Sequence, residues 1–230
     1  MNNKKILLVS VLINVLLLAS LVSVIFRTGK TDNDPVTEAH TNPQYELKST
    51  LFEKVGAEES DVVFLGDSIT ERALWHESFP EIDLVNRGIG SDTSQGVLER
   101  MDTVIALNPQ KVFLNIGVND IILNVDREDT LTNIQSIINE MNTELPESEL
   151  YIQSVFPVRE NYSYVNNDEI DELNSSIEEL AEDEGLIYID IGTTLKNEAG
   201  GLKSEYTVDG IHLTGDAYMV WVEMLNDYVY

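Results

Sequence analysis

Five short apolar runs punctuate the chain, at residues 62–65 (VVFL), 84–85 (LV), 112–116 (VFLNI), 150–155 (LYIQSV) and 187–191 (IYIDI). They lack strict in-out alternation, so they read as strands buried on both faces of a sheet. The stretches between them carry helical spacing: Leu131, Ile134, Ile137, Ile138 and Met141 in one, and Leu173, Ile177, Leu180 and Ala181 in another, set among acidic residues. Strand, helix and strand repeated in this way predict an α/β fold, a doubly wound parallel sheet joined by right-handed crossovers with helices on both faces. Ligands then sit at the carboxyl ends of the strands.

The amino-terminal end is built differently. Residues 6–26 (ILLVSVLINVLLLASLVSVIF) are 21 uncharged positions, and as a helix at about 1.5 Å per residue they reach roughly 31 Å, close to the ~30 Å bilayer core. A cleaved signal peptide would end a shorter apolar region at an A-x-A-like site, which Ala19-Ser20-Leu21 does not match. Lys4 and Lys5 before the span, against Arg27 and Lys30 after it, slightly favour a cytoplasmic amino terminus. Residues 28–43 (TGKTDNDPVTEAHTNP) are polar, hold two prolines and show no apolar period, so they read as a linker. The expected organisation is a membrane anchor over 1–27, a linker over 28–43 and one domain over 44–230, opening with a helix near 45–55. The domain is expected to be single-pass, tethered and extracytoplasmic, or secreted if the anchor is cleaved.

All 41 acidic residues follow residue 30, with only 10 Lys and Arg beside them, and the chain carries a net charge of −27. Such a surface repels nucleic acid, so no nucleic-acid partner is expected. The absence of cysteine excludes disulfides and a lipid-modified amino-terminal cysteine.

Four constellations carry chemistry. The run 62–65 leads into Gly66-Asp67-Ser68-Ile69-Thr70, which puts Ser68 at a strand's carboxyl end beside a helix expected from about Glu71, where unpaired N–H groups favour developing negative charge. In Asn86-Arg87-Gly88-Ile89-Gly90-Ser91-Asp92-Thr93 a strand ends in a glycine-bearing loop, and Asp92 can cap the next helix with Gln95 at the capping-box position. Gly117-Val118-Asn119-Asp120 follows the third strand, and a neutral amide there suits an oxyanion donor. Asp209-Gly210-Ile211-His212 precedes the last helix, with Thr214 as N-cap, and this spacing lets a carboxylate meet one ring nitrogen while the other faces a serine. Each of the four also has a bland reading as a turn or a cap.

In this chain order the four blocks resemble the SGNH (GDSL-like) hydrolases, in the bacterial branch similar to the platelet-activating-factor acetylhydrolases, and the likeness spans about Asp61 to Tyr230. The resemblance implies a flavodoxin-like three-layer α/β/α sandwich with a five-stranded parallel sheet. It also implies roles: Ser68 as nucleophile, His212 as base, Asp209 orienting His212, and an oxyanion hole made by the N–H groups of Ser68 and Ser91 and the side chain of Asn119. The family has glycine where Ser91 stands, so Ser91 fits that role only if its dihedrals do not demand glycine.

The activity implied is a serine esterase or acylhydrolase cleaving short-chain or acetyl esters of carbohydrate or lipid through an acyl-enzyme on Ser68, with no cofactor and no metal. An α/β-hydrolase would need a G-x-S-x-G elbow, which is nowhere in the sequence. A metal-dependent hydrolase would need clustered ligands, and His40, His76 and His212 are scattered. A surface binding module that has lost catalysis on the same fold is the alternative from a different class.

Overall fold

The computed structural model describes residues 43–55 and 59–230. The apolar span at 6–26 and most of the linker lie outside the described residues; within them no helix is long and apolar enough to cross a membrane.

The elements run α1 (Pro43–Val55), β1 (Val62–Gly66), α2 (Ser68–Glu71), α3 (Trp75–Ser78), β2 (Leu84–Gly88), α4 (Ser94–Glu99), α5 (Asp102–Ile105), β3 (Lys111–Asn115), α6 (Val118–Ile122), α7 (Arg127–Glu144), β4 (Glu149–Gln153), α8 (Asn167–Asp183), β5 (Ile187–Ile189), α9 (Gly192–Leu195), a 3-10 turn (Ser204–Tyr206) and α10 (Gly215–Val229). All five strands are parallel, in the order β2-β1-β3-β4-β5. This order reverses direction between β1 and β3, the switch point where open α/β sheets hold their ligands.

Side chains of a strand point alternately to the two faces, so registered residues share a face. Phe64, Phe113 and Tyr151 stand in register and stack into one aromatic row. Over that row lie Trp75 of α3, 3.8 Å from the Phe64 ring, and α10, which buries Ala217, Trp221, Leu225 and Val229 at four-residue spacing. Trp221 meets Trp75 and Phe156 edge-on and gives its indole N–H to Gln153 Oε1 at 2.6 Å. Each such large side chain removed from water contributes about 1.5–3 kcal/mol. The opposite face, with Val63, Leu65, Val112 and Leu114, is equally buried. There α7 buries Ile134, Ile137, Ile138 and Met141, and α8, started by an Asn166–Glu169 capping box, buries Ile170, Leu173, Ile177 and Ala181.

Three local expectations need correction. The helix after β1 begins at Ser68 itself and not near Glu71, because the Asp67 carboxylate accepts the Ile69 N–H and caps it. The cap of α4 is Thr93, whose hydroxyl accepts from Gly96 N–H; Asp92 is instead buried against Arg100. Thr214 stands at the N-cap of α10 but spends its hydroxyl on the Glu205 carbonyl and caps nothing.

Candidate active site

The carboxyl ends of β1, β2 and β3 bring three loops together because Gly66 allows it. A Cβ on Gly66 would lie 2.2 Å from the Asn115 carbonyl oxygen, so only glycine lets the end of β1 approach β3 this closely. Ser68 follows on the first turn of α2, and its Oγ is 3.0 Å from His212 Nε2.

His212 arrives from the opposite end of the chain on a small hairpin. An antiparallel bridge joins Thr207 to Leu213, and the Thr207 hydroxyl both accepts from Gly210 N–H and donates to the His212 carbonyl. Gly210 turns the chain at φ +106, where a side chain would also strike the Tyr162 ring. The loop after β4 holds this turn, with Arg159 N–H donating to the Gly210 carbonyl at 2.7 Å. Within the turn Asp209 Oδ1 accepts the N–H groups of Ile211 and His212 at 3.1 and 2.8 Å, and Oδ2 is 2.6 Å from His212 Nδ1. Partial burial alone would raise the Asp209 carboxyl, but the bonds from the His212 ring and the two backbone N–H groups outweigh it and hold it at about 2. It stays ionised at any working pH, and one imidazole nitrogen is thereby fixed as donor while the other faces the serine.

The third loop brings Asn119, on the first turn of α6. Its Nδ2 donates to the Asp92 carbonyl at 2.8 Å and reaches Asp67 Oδ2 at 3.3 Å. The Ser91 backbone sits at φ +63, in the left-handed region that favours glycine. A non-glycine residue is thus held in this region, at a cost of about 1–2 kcal/mol; the dihedrals do favour glycine, so the condition placed on Ser91 is not met by its backbone. Among the described residues neither the Ser68 nor the Ser91 N–H donates a hydrogen bond. These groups line one cleft of ≈ 280 Å³ with Ile122, Tyr162, Tyr164, Ile211 and His212. A cavity of ≈ 310 Å³ between α6, α7 and α8 holds the Arg127–Glu172 ion pair, and among the described residues it has no serine or histidine in its lining.

Sequence reasoning missed three contributors. Tyr162 and Tyr164 form the aromatic wall of the cleft, edge to face at 5.6 Å, and their position in a loop after a strand's carboxyl end was the available signal. Arg100 is buried; it pairs with Asp92 at 2.7 Å and gives Nη2 to the Gly66 carbonyl, tying the first loop to the second. Nothing in its local sequence marks it.

Behind the cleft three carboxyls, Asp67, Asp92 and Asp120, share the interior. Burial, with Asp92, Asp120 and Glu71 adding repulsion against the Ile69 N–H, pushes Asp67 up to about 7. Burial likewise pushes Asp120 up to about 6, against three hydrogen bonds led by those from Ser94. A carboxyl raised on folding binds more protons in the native state, so its stabilisation is complete below its unfolded value near 4 and is lost as pH rises through 6 and 7. Accumulating negative charge acts in the same direction. The Tm is therefore expected to fall between pH 5 and pH 8 by more than about 5 °C. Calorimetry at the two pH values checks this, and a flat or rising Tm would contradict it.

A parallel sheet of order 2-1-3-4-5, with a serine and a histidine–carboxylate pair meeting at its switch point and no elbow motif, defines a serine hydrolase of the flavodoxin-like type. Residues 64–220 match the model of the GDSL-like Lipase/Acylhydrolase family, and the chain belongs to that family. It is accordingly an enzyme acting on esters. The platelet-activating factor acetylhydrolase IB subunit alpha2 of Rattus norvegicus is 26% identical over 180 residues, 74% of this chain and 76% of that protein. Among solved structures, a candidate platelet activating factor from Streptococcus pneumonia superposes with a TM-score of 0.77 at 31% identity, covering 85% of this chain and 97% of the other. A GDSL-like lipase from Bacteroides thetaiotaomicron gives a TM-score of 0.69 at 26% identity, covering 80% and 96%.

Proposed function

We propose that the chain removes short acyl groups, acetyl foremost, from uncharged esters through an acyl-enzyme on Ser68. The observation that carries this reading is the linear relay Asp209–His212–Ser68, with contacts of 2.6 and 3.0 Å opening into the cleft. His212 Nε2 takes the Ser68 proton as Oγ attacks the ester carbonyl, and the N–H groups of Ser68 and Ser91 with the Asn119 amide hold the oxyanion. The imidazolium then gives that proton to the leaving alkoxide. Water, deprotonated by the same imidazole, releases the carboxylic acid and restores the serine.

The substrate class follows from the lining. Among the described residues no carboxylate, lysine or arginine lines the cleft, and its apolar wall is Ile122, Ile211 and two tyrosines. A cavity of ≈ 280 Å³ suits a short acyl group better than a long chain, and the relative's name, acetylhydrolase, agrees with that. The alcohol is a neutral carbohydrate or a lipid. Acetyl, butyryl and dodecanoyl esters of one neutral alcohol, compared with a succinyl ester, test this. Acetyl should lead in kcat/KM, with succinyl, which carries its charge into the cleft, the poorest. A preference for dodecanoyl or succinyl would overturn the reading.

We propose further, from the uncharged stretch 6–26 alone, that the domain is tethered to the outer face of a membrane. The full chain should stay with membranes through a high-salt wash and be digested by protease added to wall-stripped cells. Release by salt, or protection in sealed cells, would refute the topology.

A further inference from the structure

Asn119 can serve an oxyanion only if its amide nitrogen, and not its oxygen, faces the reacting carbon. A side-chain amide is nearly symmetric in shape, so its polarity must be set by neighbours. Two acceptors meet Nδ2: the Asp92 carbonyl at 2.8 Å and Asp67 Oδ2 at 3.3 Å. Turning the amide over would set its oxygen against both of them. The first acceptor takes one hydrogen fully. The second, longer contact occupies the other hydrogen loosely and draws it toward Asp67, the residue that immediately precedes the nucleophile.

Asp67 is 1% exposed, and its other oxygen is spent on the Ile69 N–H at 2.8 Å, so its carboxyl has no freedom to rotate away. Capping α2 would need only that one oxygen, and an asparagine or serine caps as well as an aspartate. A buried carboxylate is costly, and a cap alone does not account for one here. We propose that Asp67 is a positioning residue that fixes the polarity and aim of the Asn119 amide, holding its second N–H loosely until the oxyanion forms and takes it. The inference rests on the reading of Asn119 as an oxyanion donor.

Asp67→Asn separates the two roles. The new amide oxygen must cap Ile69 N–H, so the new NH2 faces the Asn119 NH2, donor against donor. Asp67→Ser also caps α2 and leaves nothing opposite Asn119. In the full-length protein both variants should keep a Tm near wild type at pH 7, lower kcat about ten-fold or more, and move KM only a few-fold. The ceiling is the roughly 10²–10³ lost when one oxyanion donor is removed. The deciding measurement is kcat for Asp67→Ser made in an Asn119→Ala background. Acting through Asn119, it should there change kcat less than two-fold. The same fold-loss in both backgrounds, or wild-type kcat in both single variants, would overturn the proposal. An Asn119→Ala single variant with wild-type kcat would instead remove the reading of Asn119 on which the proposal stands.

Discussion

Ser68→Ala should lower kcat by about six orders of magnitude, to the residual rate that the oxyanion donors and the cleft supply without a nucleophile. The size of the effect follows from what the alanine removes. Among the described residues the nucleophilic oxygen that meets His212 Nε2 is Ser68 Oγ, at 3.0 Å, and the one other serine or threonine lining the cleft is Ser91, for which no hydrogen bond to a base is seen. Stability should not follow activity down, because the cap of α2 is Asp67 and the Ser68 hydroxyl makes no other bond among the described residues. The prediction is a folded protein with unchanged Tm that neither hydrolyses an acetyl ester nor reacts with a fluorophosphonate. Labelling that survives the substitution, or a kcat within a hundred-fold of wild type, would place the nucleophile elsewhere.

The parts of this site written in sequence are those that local rules govern. The strands were legible as apolar runs, but burial on both faces fails at the edge, where Ile187 of β5 is exposed, and the strand order was not written in the runs. Asp209 and His212 were legible because three residues with a glycine between them can close a turn, and the structure closes it with Asp209 Oδ1 on two backbone N–H groups. What stayed hidden depends on partners distant in sequence. Arg100 could not be told from a surface arginine, since its carboxylate is eight residues away and its other acceptor, the Gly66 carbonyl, lies 34 positions back. The same holds for Asp67, to which the sequence assigned no role and whose second oxygen meets an amide 52 residues on. Ser91 shows the converse: its role was made conditional on dihedrals that do not demand glycine, and the structure places it at φ +63, in the left-handed region. Propensity is a weak prior wherever the surroundings over-determine a dihedral.

Asp209→Asn is expected to lower kcat by about four orders of magnitude while leaving the fold and KM nearly intact. Asparagine can keep Oδ1 where it accepts the Ile211 and His212 N–H groups, so the turn that carries His212 should survive. What changes is the group 2.6 Å from Nδ1, where a carboxylate oxygen that accepts becomes an NH2 that donates. Nδ1 must then be the unprotonated nitrogen, and the proton moves to Nε2. The nitrogen facing Ser68 becomes a donor and can no longer take the serine proton. The imidazolium that forms during the attack also loses the negative charge beside it, and that charge is present throughout the neutral range because the carboxyl is held at about 2. Both effects raise the barrier to acylation, and neither touches the ground-state ester, so the loss belongs in kcat. Raising the pH should not restore the activity, since the tautomer is wrong in the neutral ring itself. If Asp209→Asn instead keeps kcat within about ten-fold and loses only Tm, then Asp209 serves the turn alone and the orientation of His212 must come from the hairpin.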